Sequence, residues 1–176
     1  MDSLNGMPRD EFTRVVGPVF EHSPWIADRT SSARPFASAE ELHAALCGTL
    51  AAAAEEKQIA LIRAHPDLVG RAALAGTLTP QSTHEQASAG LDRLSAQEIA
   101  VFQDFNRRYH ARFGFPFVIC ARLNKKEAIL EAFPRRLANS RRAEIKTALE
   151  EIGKIAWLRL KDLTADADAT ESRQED

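Results

Sequence analysis

The chain has 176 residues, 44% of them apolar and 27% charged, with a net charge of −2. This is the balance of one globular domain with its own core. Scattered basic residues at that net charge exclude a basic nucleic-acid surface. No stretch is apolar enough to span a bilayer, and no secretory signal opens the chain. A cytoplasmic protein with no membrane or nucleic-acid partner is expected.

Taken in chain order, the pattern predicts helices over 9–21, 24–30, 39–54, 56–64, 83–90, 96–113, 125–133 and 140–163. Ser23 before Pro24 reads as a cap followed by proline at the first helical position. Ser38 with Glu41, Ser82 with Glu85, Ser95 with Glu98, and the looser Asn124 with Glu127 read as capping boxes. In the last helix Ile145, Leu149, Ile152, Ala156 and Leu163 form one apolar stripe. The predicted fold is all-α: a single compact multi-helix domain of about eight helices over 1–163. The polar, acidic residues 164–176 are expected to be a disordered tail. Cys47 in "ALCG" and Cys120 in "FVICA" are expected to be free thiols of a reducing compartment.

The exception to the helical pattern is "FGFPFVICA", residues 113–121, whose aromatic and β-branched content favours a short extended segment near 115–121. No other stretch reads as its partner strand. Its N–H and C=O groups therefore face either loops and water, as in an ordinary core-crossing connector, or a ligand.

A few polar residues sit oddly for packing alone. In "RAHPDLVGRA", residues 63–72, His65 is set against the rigid Pro66 at the end of a helix. It is either a satisfied structural histidine beside a helix stop, or an imidazole being aimed. Glu85 either completes the box with Ser82 or belongs to a polar recognition site at a helix start, with Ser82 and Gln86 ahead of small residues. Arg159 falls on the apolar stripe, so it either snorkels past the rim or points inward and requires an anion. Glu21 and His22, in "FEHSPW", complete the set.

No HExxH, CxxC, GxGxxG, GxxxxGK[ST] or GxSxG is present, so no metal, dinucleotide, P-loop or nucleophile-elbow signature is found. A cofactor-free acid/base enzyme and a helical binding module without chemistry both remain. A metal-dependent hydrolase using His65, Asp67, His84 and Glu85 is a weaker third reading.

The ordered set "FEHSPWIA" (20–27), "RPFAS" (34–38), "LIRAHPDLVGRAAL" (61–74), "STHEQASAGLDRL" (82–94), "FNRRYHARFGFPFVICA" (105–121) and "EIGKIAWLRLKDL" (151–163) resembles the 2-oxo-4-hydroxy-4-carboxy-5-ureidoimidazoline (OHCU) decarboxylase family. The resemblance implies an all-helical, homodimeric enzyme of purine degradation with no cofactor and no metal. It would act on a small-molecule substrate, OHCU, and release (S)-allantoin. By position, His65 matches the family's catalytic histidine and Glu85 its essential glutamate. Pro66, the stretch Ser82, Thr83, His84, Glu85 and Gln86, and the stretch Phe117, Val118, Ile119, Cys120 and Ala121 match substrate-contacting segments. Arg159 matches a substrate-binding arginine. Ser88 departs from the glycine of the "EQAGAGL" form, which removes no chemical group.

Overall fold

Residues 1–171 are described by a computed structural model, and among them there are ten α-helices and no strand. The described residues gather into two compact units, 1–61 with 153–171, and 62–152. The division falls inside the fifth helix, between Leu61 and Ile62, and inside the tenth, between Ile152 and Gly153.

The first unit holds α1 (Asp2–Gly6), α2 (Arg9–Val16), α3 (Trp25–Thr30), α4 (Ala39–Ala51) and most of α5 (Glu55–Ala64). Helix α1 escapes sequence reading because one turn carries no periodicity. Its Asn5 side chain is tied to Phe36, accepting from the backbone N–H and donating to the carbonyl, both at 2.9 Å. The helix expected over 9–21 ends at Val16. Pro18 lacks an N–H and crowds the preceding turn, so Gly17–Val19 tightens to a 3₁₀ turn. Ser23 is not the cap of α3, a position Pro24 occupies; Ser23 contributes only its carbonyl, to Ile26 N–H. Ser38 caps α4 through Glu41 N–H at 3.2 Å, while the Glu41 carboxylate reaches back to Ala37 N–H. Phe12, Val16, Ile26, Leu42, Leu46 and Leu160 form the core of this unit.

The second unit holds α6 (Arg71–Leu74), α7 (Pro80–Ser88), α8 (Ala96–Phe113), α9 (Lys126–Leu137) and the first part of α10 (Arg141–Glu171). Helix α8 has the predicted bounds, because both ends are written locally. Ser95 and Glu98 make the full capping box, and Gly114 ends the helix in the left-handed region at φ +77°. Asn124 makes no box. Lys125 stands at the cap of α9, and the Asn124 amide donates to Cys120 O at 2.9 Å. Helix α9 also runs through Pro134 rather than stopping at 133. The proline costs about 3 kcal/mol; burial of Phe133 and the contacts of Arg136 beyond it offset that cost.

The core of this unit is aromatic. Phe117 stacks on Phe133 at 3.9 Å, and Tyr109 meets Phe117 edge-on at 5.3 Å. Beside it lies a buried polar network. The Glu144 carboxylate accepts from Arg136, from the Tyr109 hydroxyl and from the Asn139 amide. Burial and the neighbouring Glu144 raise the Tyr109 phenol, against the lowering effect of Arg136.

Helix α10 continues from the expected end at 163 to Glu171; the part of the predicted tail over 172–176 lies outside the described residues. Its buried stripe carries three charged residues, Glu144, Glu151 and Arg159. Each has a partner, as a buried charge requires. Both cysteines are free thiols, and burial pushes the Cys47 thiol up.

Candidate active site

Helix α5 ends at Ala64, and His65 closes it with a tight turn, its N–H donating to Ile62 O at 3.2 Å. His65 is 8% exposed. Pro66 follows with no N–H to give. The next residues then adopt a shape they would not take alone. Val69 sits at φ +53°, a left-handed conformation that strains a β-branched residue by about 1–3 kcal/mol. The strain is held by partners. Val69 N–H donates to Gln86 Oε1 at 3.0 Å, and the same amide donates to Asp67 O at a long 3.5 Å. Asn106 Nδ2 donates to Leu68 O at 2.8 Å, and His110 Nε2 lies 2.7 Å from Asp67 Oδ1. Gly70 N–H returns to Asp67 O at 3.2 Å. A Cβ at Gly70 would lie 2.6 Å from Asp67 Cβ, so only glycine fits this turn.

Glu85 lies inside α7 and not in a capping box. Thr79 is the cap, Pro80 takes the first helical position, and Ser82 N–H donates to Thr79 Oγ1 at 3.2 Å. The periodicity of α7 turns Ser82, Glu85 and Gln86 to the buried side, with Glu85 9% exposed. It leaves Thr83 and His84 on the exposed face. The Ser88 hydroxyl donates to Glu85 O at 2.7 Å, tightening the last turn.

The segment Phe117–Ala121 is buried throughout. Its backbone groups find protein partners at Val118 O, which accepts from Arg136 Nη1, and at Cys120 N–H, which donates to Glu151 Oε2 at 2.8 Å. Cys120 O accepts from Asn124 and from Leu123 N–H. The connector reading therefore accounts for these three groups, and side chains rather than a sheet satisfy them. Helix α7 packs against the 3₁₀ turn Ala121–Leu123, and its Gln86 holds the His65 loop, so the Glu85 helix adjoins both segments.

Arg159 lies in the first unit. It points inward to an anion: its Nη1 is 2.9 Å from the buried Glu21 Oε2, and it donates to Pro18 O at 3.4 Å. Exposed His22, at φ +46°, lies 3.8 Å from the same glutamate. An open cleft of about 760 Å³ borders the His65 loop, lined by Asp67, Arg71, Asn106 and His110 among others, but by neither His65 nor Glu85. Among the described residues no group of three or more His, Cys, Asp or Glu side chains is placed to hold a metal ion.

Sequence reasoning from the residues did not single out Asn106, His110, Glu144 or Glu151, and it reads the basic run Arg135–Arg136 as a solvated helix face, whereas Arg136 is buried against Glu144. Each reads as an ordinary polar helix residue until its partner, distant in sequence, is known.

A family model described as OHCU decarboxylase matches residues 5–161. The 2-oxo-4-hydroxy-4-carboxy-5-ureidoimidazoline decarboxylase of Halalkalicoccus jeotgali is 41% identical over 173 residues, spanning 98% of this chain and 96% of the relative. That of Amia calva is 41% identical over 163 residues, 93% of each. Among solved structures, the crystal structure of (S)-allantoin synthase superposes with a TM-score of 0.74 at 25% identity, over 92% of this chain and 53% of the other.

Proposed function

The chain belongs to the OHCU decarboxylase family of carboxy-lyases, and we propose that it decarboxylates OHCU to (S)-allantoin in urate degradation, without a cofactor, as a cytoplasmic homodimer. The observation that carries the reading is the grip of Gln86. One side chain, next to Glu85 on α7, holds the backbone of Asp67 and Val69 just beyond His65. It ties the element of the glutamate to the loop of the histidine, and both side chains are buried.

This substrate carries its own electron sink, a ring imine beside the carbon bearing hydroxyl and carboxylate, so no external sink is required. As the carboxylate bond breaks, its electron pair forms a double bond to the ureido-bearing carbon, and the imine pair moves to the ring nitrogen. The ring nitrogen takes up a proton from solvent, and the resulting enol passes its hydroxyl proton to water as it becomes a carbonyl. The ureido-bearing carbon takes a proton on one face. Glu85 accepts the hydroxyl hydrogen bond and fixes the orientation. His65 is the general acid/base that delivers the proton to a single face. Pro66 restricts the histidine's backbone, and Ser82 and Gln86 present polar groups on the same side of α7 as Glu85. The exposed Thr83 and His84 border the substrate, Phe117–Ala121 positions the ring, and Arg159 binds an electron-rich group of the substrate.

The test generates the unstable substrate in place with urate oxidase and hydroxyisourate hydrolase and follows circular dichroism. A fast signal of one hand, reduced about 10²–10⁴-fold in His65→Ala with the fold intact, is expected. Near-normal turnover in that variant overturns the role of His65, and normal turnover in Glu85→Gln removes the need for a carboxylate. Only slow, racemic product from the wild-type chain favours an inactive binding module on the same scaffold. Loss of activity with chelator and rescue by zinc or manganese favours the hydrolase reading.

A further inference from the structure

Two of the side chains that hold the His65 loop, Asn106 and His110, have no part in the chemistry above. They stand one turn apart on α8, so they share a face. That face holds Leu68 O and the Asp67 carboxylate. On the other side of His65, Arg63 Nε donates to Gly114 O, the carbonyl of the α8 C-cap, at 3.0 Å. The span from Arg63 to Leu68 is thus anchored at both ends to a single helix, closed by a capping box and a left-handed glycine. His65 lies inside that span.

Two features set these contacts apart from ordinary packing. Asn106 Oδ1 is buried and has no hydrogen-bond partner among the described residues. An orphaned buried acceptor destabilises the fold, so the residue is there for its donor. The His110–Asp67 pair is the opposite case, with side chains 43% and 30% exposed. A polar contact that open adds little to stability, yet it fixes the carboxylate two residues from His65. Val69 at φ +53° shows that the loop keeps its course only under restraint.

We propose that Asn106 and His110 are positioning residues, which aim His65 by clamping its loop to α8; the proposal rests on His65 being the acid/base of the reaction above. Because misplacement of a catalytic group by about 1 Å costs roughly 10²-fold in rate, loss of the clamp acts on kcat.

The experiment compares His110→Ala, His110→Gln and Asn106→Asp in the full chain. Gln retains an amide donor that reaches Asp67, whereas Asp at 106 sets an acceptor against Leu68 O. For each variant kcat, KM, thermal unfolding and the ring signals of His65 by NMR are measured. The expected result is a kcat lowered roughly 10–10²-fold in His110→Ala, with KM and the melting temperature nearly unchanged and the His65 ring signals shifted or broadened. His110→Gln restores both kcat and the ring signals, and Asn106→Asp lowers kcat and moves the ring signals as His110→Ala does, with a lower melting temperature from its buried carboxylate. Wild-type kcat and His65 signals in folded His110→Ala and Asn106→Asp overturn the proposal, as does a kcat loss that merely tracks the unfolded fraction. The NMR arm separates this proposal from the functional reading. If the wild type shows no turnover, the decarboxylase reading fails, and unmoved ring signals would then refute the clamp as well.

Discussion

Replacing Arg136 with methionine removes one side chain from the buried network and leaves the rest in place. Arg136 donates to Glu144 and to Val118 O, and its guanidinium lies 4.3 Å from the centre of the Phe117 ring. Glu144 is 0% exposed and would keep only the Tyr109 hydroxyl and the Asn139 amide. Breaking a buried pair on one side costs about 3–5 kcal/mol. For a chain of this size each kcal/mol lowers Tm by roughly 2–4 °C, so Arg136→Met is expected to melt about 6–20 °C below wild type. The assay is urea and thermal unfolding at pH 7, with the denaturant slope checked for constancy. Adding Glu144→Gln to Arg136→Met removes the stranded charge and is expected to recover about half of the loss or more. A cost below about 1 kcal/mol in Arg136→Met, or no recovery in the double variant, refutes the idea that an unpaired buried carboxylate is the cause.

Two further outcomes are expected. Gly70→Ala places a Cβ 2.6 Å from Asp67 Cβ, so it is expected to destabilise by about 1–3 kcal/mol in chemical unfolding; a neutral result would show that the turn yields freely. Glu98 is held down from its ordinary 4.5 to about 2, by Lys126 first and then by the backbone and side chain of Ser95. A lowered folded-state value means the stabilisation is complete above about pH 4.5 and is lost as pH falls toward 2. Lys126→Ala is expected to flatten the stability–pH curve in that window; an unchanged curve would assign the acid dependence to other carboxylates.

The sequence by itself determined the all-helical class, because the apolar period of 3.6 and the capping signals are local properties. It delimited α8 correctly since Ser95, Glu98 and Gly114 all act within one turn of the ends they close. Local rules failed where two caps compete. Thr79 with Pro80 displaced Ser82 as the start of α7, and Lys125 displaced Asn124 at α9, because Asn124 was already bonded to Cys120. Of the candidate site, the residue types at 65 and 85 were legible, since a histidine against a proline and a carboxylate before small residues are odd for packing alone. What holds them was not legible. Gln86 on Val69, Asn106 on Leu68, Arg136 on Val118 and Glu151 on Cys120 join residues far apart in the chain. Their polar atoms look like solvent-facing ones in any window of sequence. Whether Arg159 snorkels or turns inward was likewise undecided until the fold supplied Glu21 as its anion. Tertiary structure decided these points because the penalty for an unpaired buried polar group is set by which neighbour arrives, and a sequence pattern does not contain that.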